Sequence, residues 1–462
     1  MMLTPNDLST ELRGKIANII GMEAGAITNI TATIQNTVAK DDFSFVLDNI
    51  LKLTVVHDYA AKYAEEIELI GQLSMENYIK CFKNPSELQC VLSINTTEPH
   101  YSYKSASTTK VYHAILKSAF DPELIVPGKV VNLPDKQLTL YQITFQLVEK
   151  NILKIKNKST NFIIAETTDY KPTIKDAIVY FIGQLGIKKV AMTPPDNTKK
   201  YRRIIIPPKI RLDAFLSYLQ SCEPYGIYDA GCAWFIQDEI LYIYPPYRMK
   251  PKRSVCCNFY YVGVGQCQGA ASYHAFGKED GPNPGEGFIV INSELHARYD
   301  TPIYGETVAS AVMTYHDNNV IHGINTIDDA YKENLPKNTS VYYPKERTLT
   351  VQQNAENIAY TNTSANIFKH LSVLSKADIA YLGFTWNNAR LGILKPAERV
   401  LFHYDGYEQM RVRGGIVSRV TYTFTPYSQQ ATFGKNTRFL CGADIIISIA
   451  PYPLTSEEES LT

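Results

Sequence analysis

The chain has 462 residues, 45% of them hydrophobic, which excludes wholesale disorder and leaves room for about three domains of ordinary size. Lys plus Arg and Asp plus Glu number 46 each, so no net field exists to gather nucleic acid or an anionic membrane, and only local basic patches remain open. The 32 tyrosines suit half-buried sheet faces and subunit contacts, since each ring joins an apolar body to a polar tip.

Met1-Met2-Leu3-Thr4-Pro5-Asn6 carries no charged leader followed by an apolar run, so no secretory signal is expected. No uninterrupted apolar run of about 18 residues occurs, so no membrane insertion is expected either. The longest candidate, 445–450, is strand-sized. Eight cysteines stand at 81, 90, 222, 232, 256, 257, 267 and 441 without a C-x-x-C pair, which leaves no metal site to propose and reads as buried thiols made in a reducing cytoplasm.

In chain order, Phe43, Phe45, Val46, Ile50 and Leu51 fit either a helical face or a buried strand. Ile67, Leu69 and Gly71 alternate as a strand over 66–72, Ser74 is placed to cap a short helix over 75–81, and 88–94 reads as a returning strand. Residues 101–110, rich in Ser and Thr, read as a loop. A long strand is expected over 138–148, with a phase slip near Tyr141 that predicts a bulge, and another strand beginning at Ile152, Leu153 and Ile155. Thr173, with Asp176 three residues on, opens the clearest helix: Ile174, Ala177, Ile178, Phe181, Ile182 and Leu185 share a face, and Gly186 closes it.

The stretch 194–246 is dense in turn signals. A strand, Tyr201-Arg202-Arg203-Ile204-Ile205-Ile206, runs into Pro207-Pro208, after which a second helix is expected with Leu212, Phe215, Leu216 and Leu219 inward and Arg211 and Asp213 exposed. Pro224 and Gly226 stop it. Tyr225-Gly226-Ile227-Tyr228 then precedes an aromatic hairpin over 234–244, giving a strand, helix, strand, strand unit. A further strand is expected over 254–264, with Cys256 and Cys257 on opposite faces, and a domain boundary near 250. The Gly/Pro-rich loop 265–287 is long enough to be functional or mobile. In the last third, Gly414-Gly415 between alternating runs predicts a hairpin. Val420, Tyr422 and Phe424 face one way and Arg419, Thr421, Thr423 and Thr425 the other. Residues 443–449 form a closing strand, and 456–462 a frayed tail.

No stretch specifies catalysis. Gly263-Val264-Gly265 with Gly269 lacks a dinucleotide spacing, and Gly434-Lys435-Asn436 lacks the rest of a phosphate loop, so no cofactor is expected. Cys256, Cys257 or Cys267 with His274 or His296 would be needed for a cysteine hydrolase, and Glu279, Asp280 and Glu286 for a glycosidase. Their spacing selects neither, and core thiols and solvated loop charges explain them. Arg411, Arg413 and Arg419 are the remaining candidate site residues. They suit a solvated outer face that discourages edge pairing, or contact with an acidic partner or with nucleic acid passing through a ring's bore.

Three stretches carry a family resemblance: Tyr63-Ala64-Glu65-Glu66-Ile67-Glu68-Leu69 through Leu73-Ser74-Met75-Glu76-Asn77-Tyr78 and 84–92; Tyr141-Gln142-Ile143-Thr144-Phe145-Gln146-Leu147-Val148 leading to the Thr173 helix; and the Ile-Pro-Pro and Tyr-Gly-Ile-Tyr elements. Over roughly residues 40–250 the chain resembles the baseplate hub proteins of contractile phage tails and the related hub domain of type VI secretion spikes. The resemblance implies a β-rich α+β protein: a first tube-like β-barrel or sandwich domain in 1–125, an α/β insert in 126–250, and a second tube-like domain in 251–462. It implies a non-enzymatic homotrimer in the virion's tail baseplate, made in the host cytoplasm. Its partners would be the tail tube protein, a central spike, other baseplate proteins, and transiently DNA or a tape measure in the bore. The rival readings are a peripheral receptor-binding or baseplate wedge protein and, third, a cell-wall hydrolase.

Overall fold

The computed structural model describes residues 27–36, 42–59, 65–83, 85–97, 106–118, 140–149, 152–153, 155, 158–221, 225–228, 232–245, 255–261, 275–276, 287–291, 296–299, 312–316, 320–326, 342–343, 347–348, 352–353, 380–386, 389, 391–392, 394, 399–405, 410–427 and 438–449. The loop 265–287, the glycine motifs at 263–269 and 434–436, the acidic loop residues and the tail 456–462 lie outside these, apart from 275–276 and Gly287.

The first strands are β1 (Ile27–Asn36), β2 (Phe43–Val46), β3 (Asn49–Asp58) and β4 (Glu66–Ser74), then helix α1 (Met75–Lys83), β5 (Leu88–Thr97), β6 (Ala106–Ser118) and β7 (Leu140–Val148). Phe43, Phe45 and Val46 of β2 and Ile50 and Leu51 of β3, which fit two readings from the sequence, are therefore in strands. The polar run at 101–110 is partly strand too, from Ala106. Thr108 and Thr109 are β-branched, and the Thr109 and Ser93 hydroxyls hydrogen-bond across the pair at 2.7 Å, so polarity here does not mean loop. The β4–β7 register runs unbroken through Tyr141, and the irregularity falls on β6 instead, between Leu116 and Ser118. Ile152, Leu153 and Ile155 are helical rather than a new strand, with the Ile152 N–H bonded to the Glu149 carbonyl at 2.9 Å.

The middle of the chain holds β8 (Ser159–Ala165), α2 (Ile174–Leu185), β9 (Lys189–Met192), β10 (Arg203–Arg211), α3 (Phe215–Ser221) and the hairpin β11 (Ala233–Gln237) and β12 (Ile240–Tyr244). At the start of α2 the Thr173 N–H and hydroxyl both donate to Asp176 Oδ2, at 2.7 and 2.6 Å. Gly186 ends the helix at φ 70°. β10 continues through Pro207-Pro208 because the prolines sit in a bulge between Ile206 and Ile210, where no ladder N–H is needed. The following helix starts with a 3-10 turn at Leu212–Ala214. There Arg211 is exposed, but Asp213 is half-buried and pairs with it. Tyr225-Gly226-Ile227-Tyr228 joins no strand; the buried Gln220 side chain takes the role of a neighbour, accepting from the Ile227 and Tyr228 N–H groups and donating to the Tyr228 carbonyl at 2.8 Å.

The remaining strands are β13 (Val255–Tyr261), β14 (Ala275–Phe276), β15 (Gly287–Ile291), β16 (His296–Tyr299), β17 (Val312–His316), β18 (Val320–Thr326), β19 (Tyr342–Tyr343), β20 (Arg347–Thr348), β21 (Gln352–Gln353), β22 (Ala380–Trp386), β23 (Arg399–Asp405), β24 (Met410–Pro426) and β25 (Arg438–Ile449). The fold is thus a β-rich α+β one. Gly414-Gly415 is not a turn: it lies inside β24, opposite Leu401 and Val400 of β23. Two glycines between apolar runs are compatible with a strand when the neighbouring backbone comes close, and both are buried here.

Successive antiparallel pairings run β24, β3, β4, β7, β6, β5, β1, β25 and return to β24. The sheet closes on itself as an eight-stranded barrel, a size that side chains can fill. Its interior alternates as the pleat requires, for example Leu53 and Val55, Ile67 and Leu69, Val420 and Tyr422, all at most 2% exposed. The long β24–β25 ribbon also belongs to a second sheet. Met410 to Ile416 pairs with β23, which leads to β13, β15 and β14, and Ala443 to Ile449 pairs with β22 and so β16. A bulge between Val417 and Arg419 marks the passage from one sheet to the other, and the Tyr59 N–H satisfies the Ser418 carbonyl there at 2.7 Å.

The insert has its own core. Ile178 and Phe181 of α2, Phe215 and Leu219 of α3, and Trp234 and Ile243 of the hairpin meet in it. The opposite hairpin face, with Ala233, Phe235 and Tyr244, packs into the barrel's core. The Phe235 ring lies 4.9 Å from Tyr59 and stacks on Tyr242 at 4.8 Å.

Candidate functional site: the barrel mouth and its hairpin stopper

At one end the barrel interior turns polar. His57 continues the inner face of β3, and Thr108, Lys110 and Tyr112 that of β6, while Glu65 stands just ahead of β4. The tip of the β11–β12 hairpin closes this end, leaving a cleft of ≈ 120 Å³ lined by these residues with Gln237, Asp238, Leu391 and Gly392. The two-residue turn Asp238-Glu239 adopts φ of 53° and 61°, where glycine or asparagine is the easy choice. Two carboxylates stand there instead, and Asp238 pairs with Lys110.

Glu65 is the centre of the cluster. Its side chain is 6% exposed; Oε2 lies 2.9 Å from His57 Nε2, and Oε1 accepts from the Tyr112 hydroxyl at 2.9 Å and lies 3.6 Å from Lys110 Nζ. His57 Nδ1 in turn meets the Tyr59 hydroxyl at 3.1 Å. Burial works to raise the Glu65 pKa, but the His57 hydrogen bond and charge, with Lys110 and Tyr112, outweigh it and hold the carboxyl at about 2. Burial likewise opposes the Lys110 charge, and Glu65 and Asp238 overcome it, raising the pKa. Glu149, just past β7, goes the other way: burial first, then the Glu65 carboxylate, push it up to about 7 against the pull of Lys110. Both Glu65 oxygens are engaged, so the group is a structural tie between barrel and hairpin and is not poised to move a proton.

Of the candidates from the sequence, Cys257 is buried on β13, and the side chains of Cys256, Cys267, His274 and His296 lie outside the described residues. Burial pushes the Cys81 and Cys90 thiols up to about 12, away from nucleophilic use. Arg411 and Arg413 lie opposite Tyr404 and Phe402, and Arg413 is half-buried. Arg419 is exposed and stands opposite Asp58. The bulge at Ser418 reverses the alternation, so positions 413 and 419 fall on opposite faces. The barrel-mouth cluster was not legible in the sequence because its members come from β3, the residue ahead of β4, β6 and the hairpin; the one local sign was a non-glycine pair in a two-residue turn. Among the described residues no group of His, Cys, Asp and Glu could hold a metal, and no helix is long and apolar enough to cross a membrane.

These features define a β-barrel protein with an α/β insert whose polar cluster fastens its own parts together. The chain belongs to the family of the Bacteriophage PBS1 gene 109 protein, whose family model matches residues 16–255. No curated protein matches it. Among solved structures it aligns with the tail protein from Neisseria meningitidis MC58, at 8% identity and a TM-score of 0.45 over 91% of this chain and 96% of that one. It also aligns with the 43 kDa tail protein of prophage MuSo2 from Shewanella oneidensis, at 9% identity and a TM-score of 0.43 over 92% and 98%. A third is the E. coli c3393 protein, described as a type VI secretion component structurally similar to T4 tail proteins gp27 and gp5, at 8% identity and a TM-score of 0.37 over 88% and 74%. The resemblance drawn from the sequence agrees with these findings.

Proposed function

We propose that the chain is a structural, non-enzymatic subunit of a phage tail baseplate hub, located in the virion's tail. One observation carries the reading: a single continuous ribbon, β24–β25, takes part in both the closed barrel and the second sheet. One polypeptide therefore bears two rigidly joined β modules. As a homotrimer such a subunit offers six modules around an axis, matching a sixfold tube on one side and a threefold spike on the other. The chain divides near 125 and 250, with 126–250 lending β7 and 251–462 lending β24 and β25 to complete the first module. Membership of a bacteriophage family and the resemblance of 40–250 to hub proteins support the assignment.

In this reading Arg419, exposed, faces a neighbour or the bore, and Arg411 and Arg413 serve a separate contact across the bulge. The partners are the tail tube protein, a central spike and other baseplate proteins, with no cofactor. Purified chain mixed with tail tube protein is expected to nucleate tube segments visible by electron microscopy. A monomer that leaves tube assembly unchanged would overturn the proposal.

A further inference from the structure

Barrel and insert meet along a seam. β7 ends at Val148; Glu149 follows, and its carbonyl accepts the Ile152 N–H at the turn into the insert. The Glu149 side chain faces a cleft of ≈ 300 Å³ with an apolar lining of Ile152, Ile155, Ile187 and Ile236. Glu239 of the hairpin tip lines the same cleft, as do Lys188 and Lys189 between α2 and β9, both exposed and so well screened by water. The other charged groups acting on Glu149, among the described residues, are Glu65 ahead of β4, Lys110 of β6 and Asp238 beside Glu239. Lys110 is the one cation of that group, and Glu65 and Asp238 already share it. His57 of β3 and Tyr112 of β6 spend their hydrogen bonds on Glu65. The carboxyls of Glu149 and Glu239 have no hydrogen-bond or salt-bridge partner among the described residues.

The hairpin is held in two different ways. Its base is fixed in the barrel's core, where Phe235 and Tyr244 are both buried and the Phe235 ring lies 4.9 Å from Tyr59. Its tip, Asp238-Glu239, is exposed, keeps two non-glycine residues at positive φ, and is tied down by the Lys110 pair. A strained turn held by one ion pair can lift while the aromatic base stays in place.

We propose that this tip is a proton-controlled latch: with Glu149 protonated it seats on the barrel mouth through Lys110, and with Glu149 ionised it lifts and opens the cleft beside Glu65. Seating brings Asp238 and Glu239 against Glu149 and takes water from it. A seated tip therefore favours the neutral acid, and by linkage the neutral acid favours the seated tip. Burial first, then Glu65, push Glu149 from its ordinary 4.5 up to about 7, with Asp238 and Glu239 adding to them against Lys110. Seating is thus complete below 4.5 and is lost as pH rises through 7, a window in which Glu65, held at about 2, keeps its charge. Glu65 and the barrel's own share of the burial act on Glu149 whether the tip is up or down. The tip's share is about one pH unit, a roughly tenfold change in the ratio of seated to lifted tips.

Hydrogen–deuterium exchange of the full chain tests the latch, read as protection factors so that the intrinsic pH dependence divides out. Peptides spanning 235–242 are expected to lose protection roughly tenfold between about pH 5.5 and about pH 8.5, while peptides from α2 keep theirs. E149Q is expected to hold the low-pH protection throughout. E239Q, a change at an exposed turn, is expected to shrink the loss, and K110M to show the low protection of a lifted tip at both pH values. A wild-type tip equally protected at both overturns the inference. So does a loss that E149Q and E239Q both retain, or one matched by α2, which would be a loosening of the whole insert. The latch lies within one chain, so its failure leaves the hub assignment standing.

Discussion

Single side chains carry several of the decisive contacts. Gly71 sits on the inner face of β4 where a Cβ would lie 2.9 Å from the Asn49 carbonyl oxygen and 3.1 Å from Leu47 Cδ1. Backbone cannot yield cheaply, so Gly71→Ala is expected to cost roughly 1–3 kcal/mol in denaturant unfolding. Gln220→Ala strips two buried N–H groups and a carbonyl of their partner and is expected to cost about 3 kcal/mol. The two displaced carboxyls leave opposite marks on the pH dependence. Glu65, held at about 2, contributes stability that is present above its ordinary value of 4.5 and is lost as pH falls towards 2. Glu149, raised to about 7, binds its proton more tightly folded than unfolded, so its contribution is complete below 4.5 and is lost as pH rises through 7. Glu149→Gln is expected to flatten the thermal stability profile between about pH 4.5 and 7 and to leave the acid limb, which belongs to Glu65, in place.

The elements differ in how far local sequence decides them. The hairpin tip illustrates a local rule broken for a distant partner. Glu239→Gly relieves a left-handed non-glycine residue and is expected to stabilise by about 1 kcal/mol. Asp238→Gly gives up the Lys110 pair for the same relief, so the two variants should separate in a thermal melt. What was legible in the sequence was what neighbours in sequence determine: α2 with its Thr173 and Gly186 caps, the 234–244 hairpin, the outward threonines of β24. What was not legible depends on strands far apart. Gly414-Gly415 has the composition of a turn, and only β23 and β25 on either side hold it straight. Tyr225-Gly226-Ile227-Tyr228 alternates like a strand, yet Gln220 occupies the place of a strand partner. The barrel-mouth cluster gave no signal beyond its Asp238-Glu239 turn for the same reason, since His57, Glu65, Lys110 and Asp238 meet only after the barrel closes.

For the molecule as a whole, the barrel and the second sheet are expected to unfold together, because β24 and β25 cannot leave one without opening the other. Loss of the near-ultraviolet tyrosine signal and loss of far-ultraviolet strand signal should then share one denaturation midpoint. A chain ended at residue 405 lacks the closing ribbon and is expected to appear as polydisperse aggregates in light scattering, since β1 and β3 would each present an open edge. The insert, braced on the barrel through Phe235 and Lys110, should keep its own core in that fragment, which circular dichroism of α2 and α3 would report.

The ribosome meets this closure as a delay. Six of the eight staves are finished by residue 148, and the last two begin only at residue 410, so roughly 260 residues must be made in between. At about 5–20 residues per second that interval lasts roughly 13–50 s, during which the nascent open cylinder has nothing of its own to seal it. A folding helper that shields open staves, or a slow passage through the intervening segment, would act in that window and at no other point in the life of the protein.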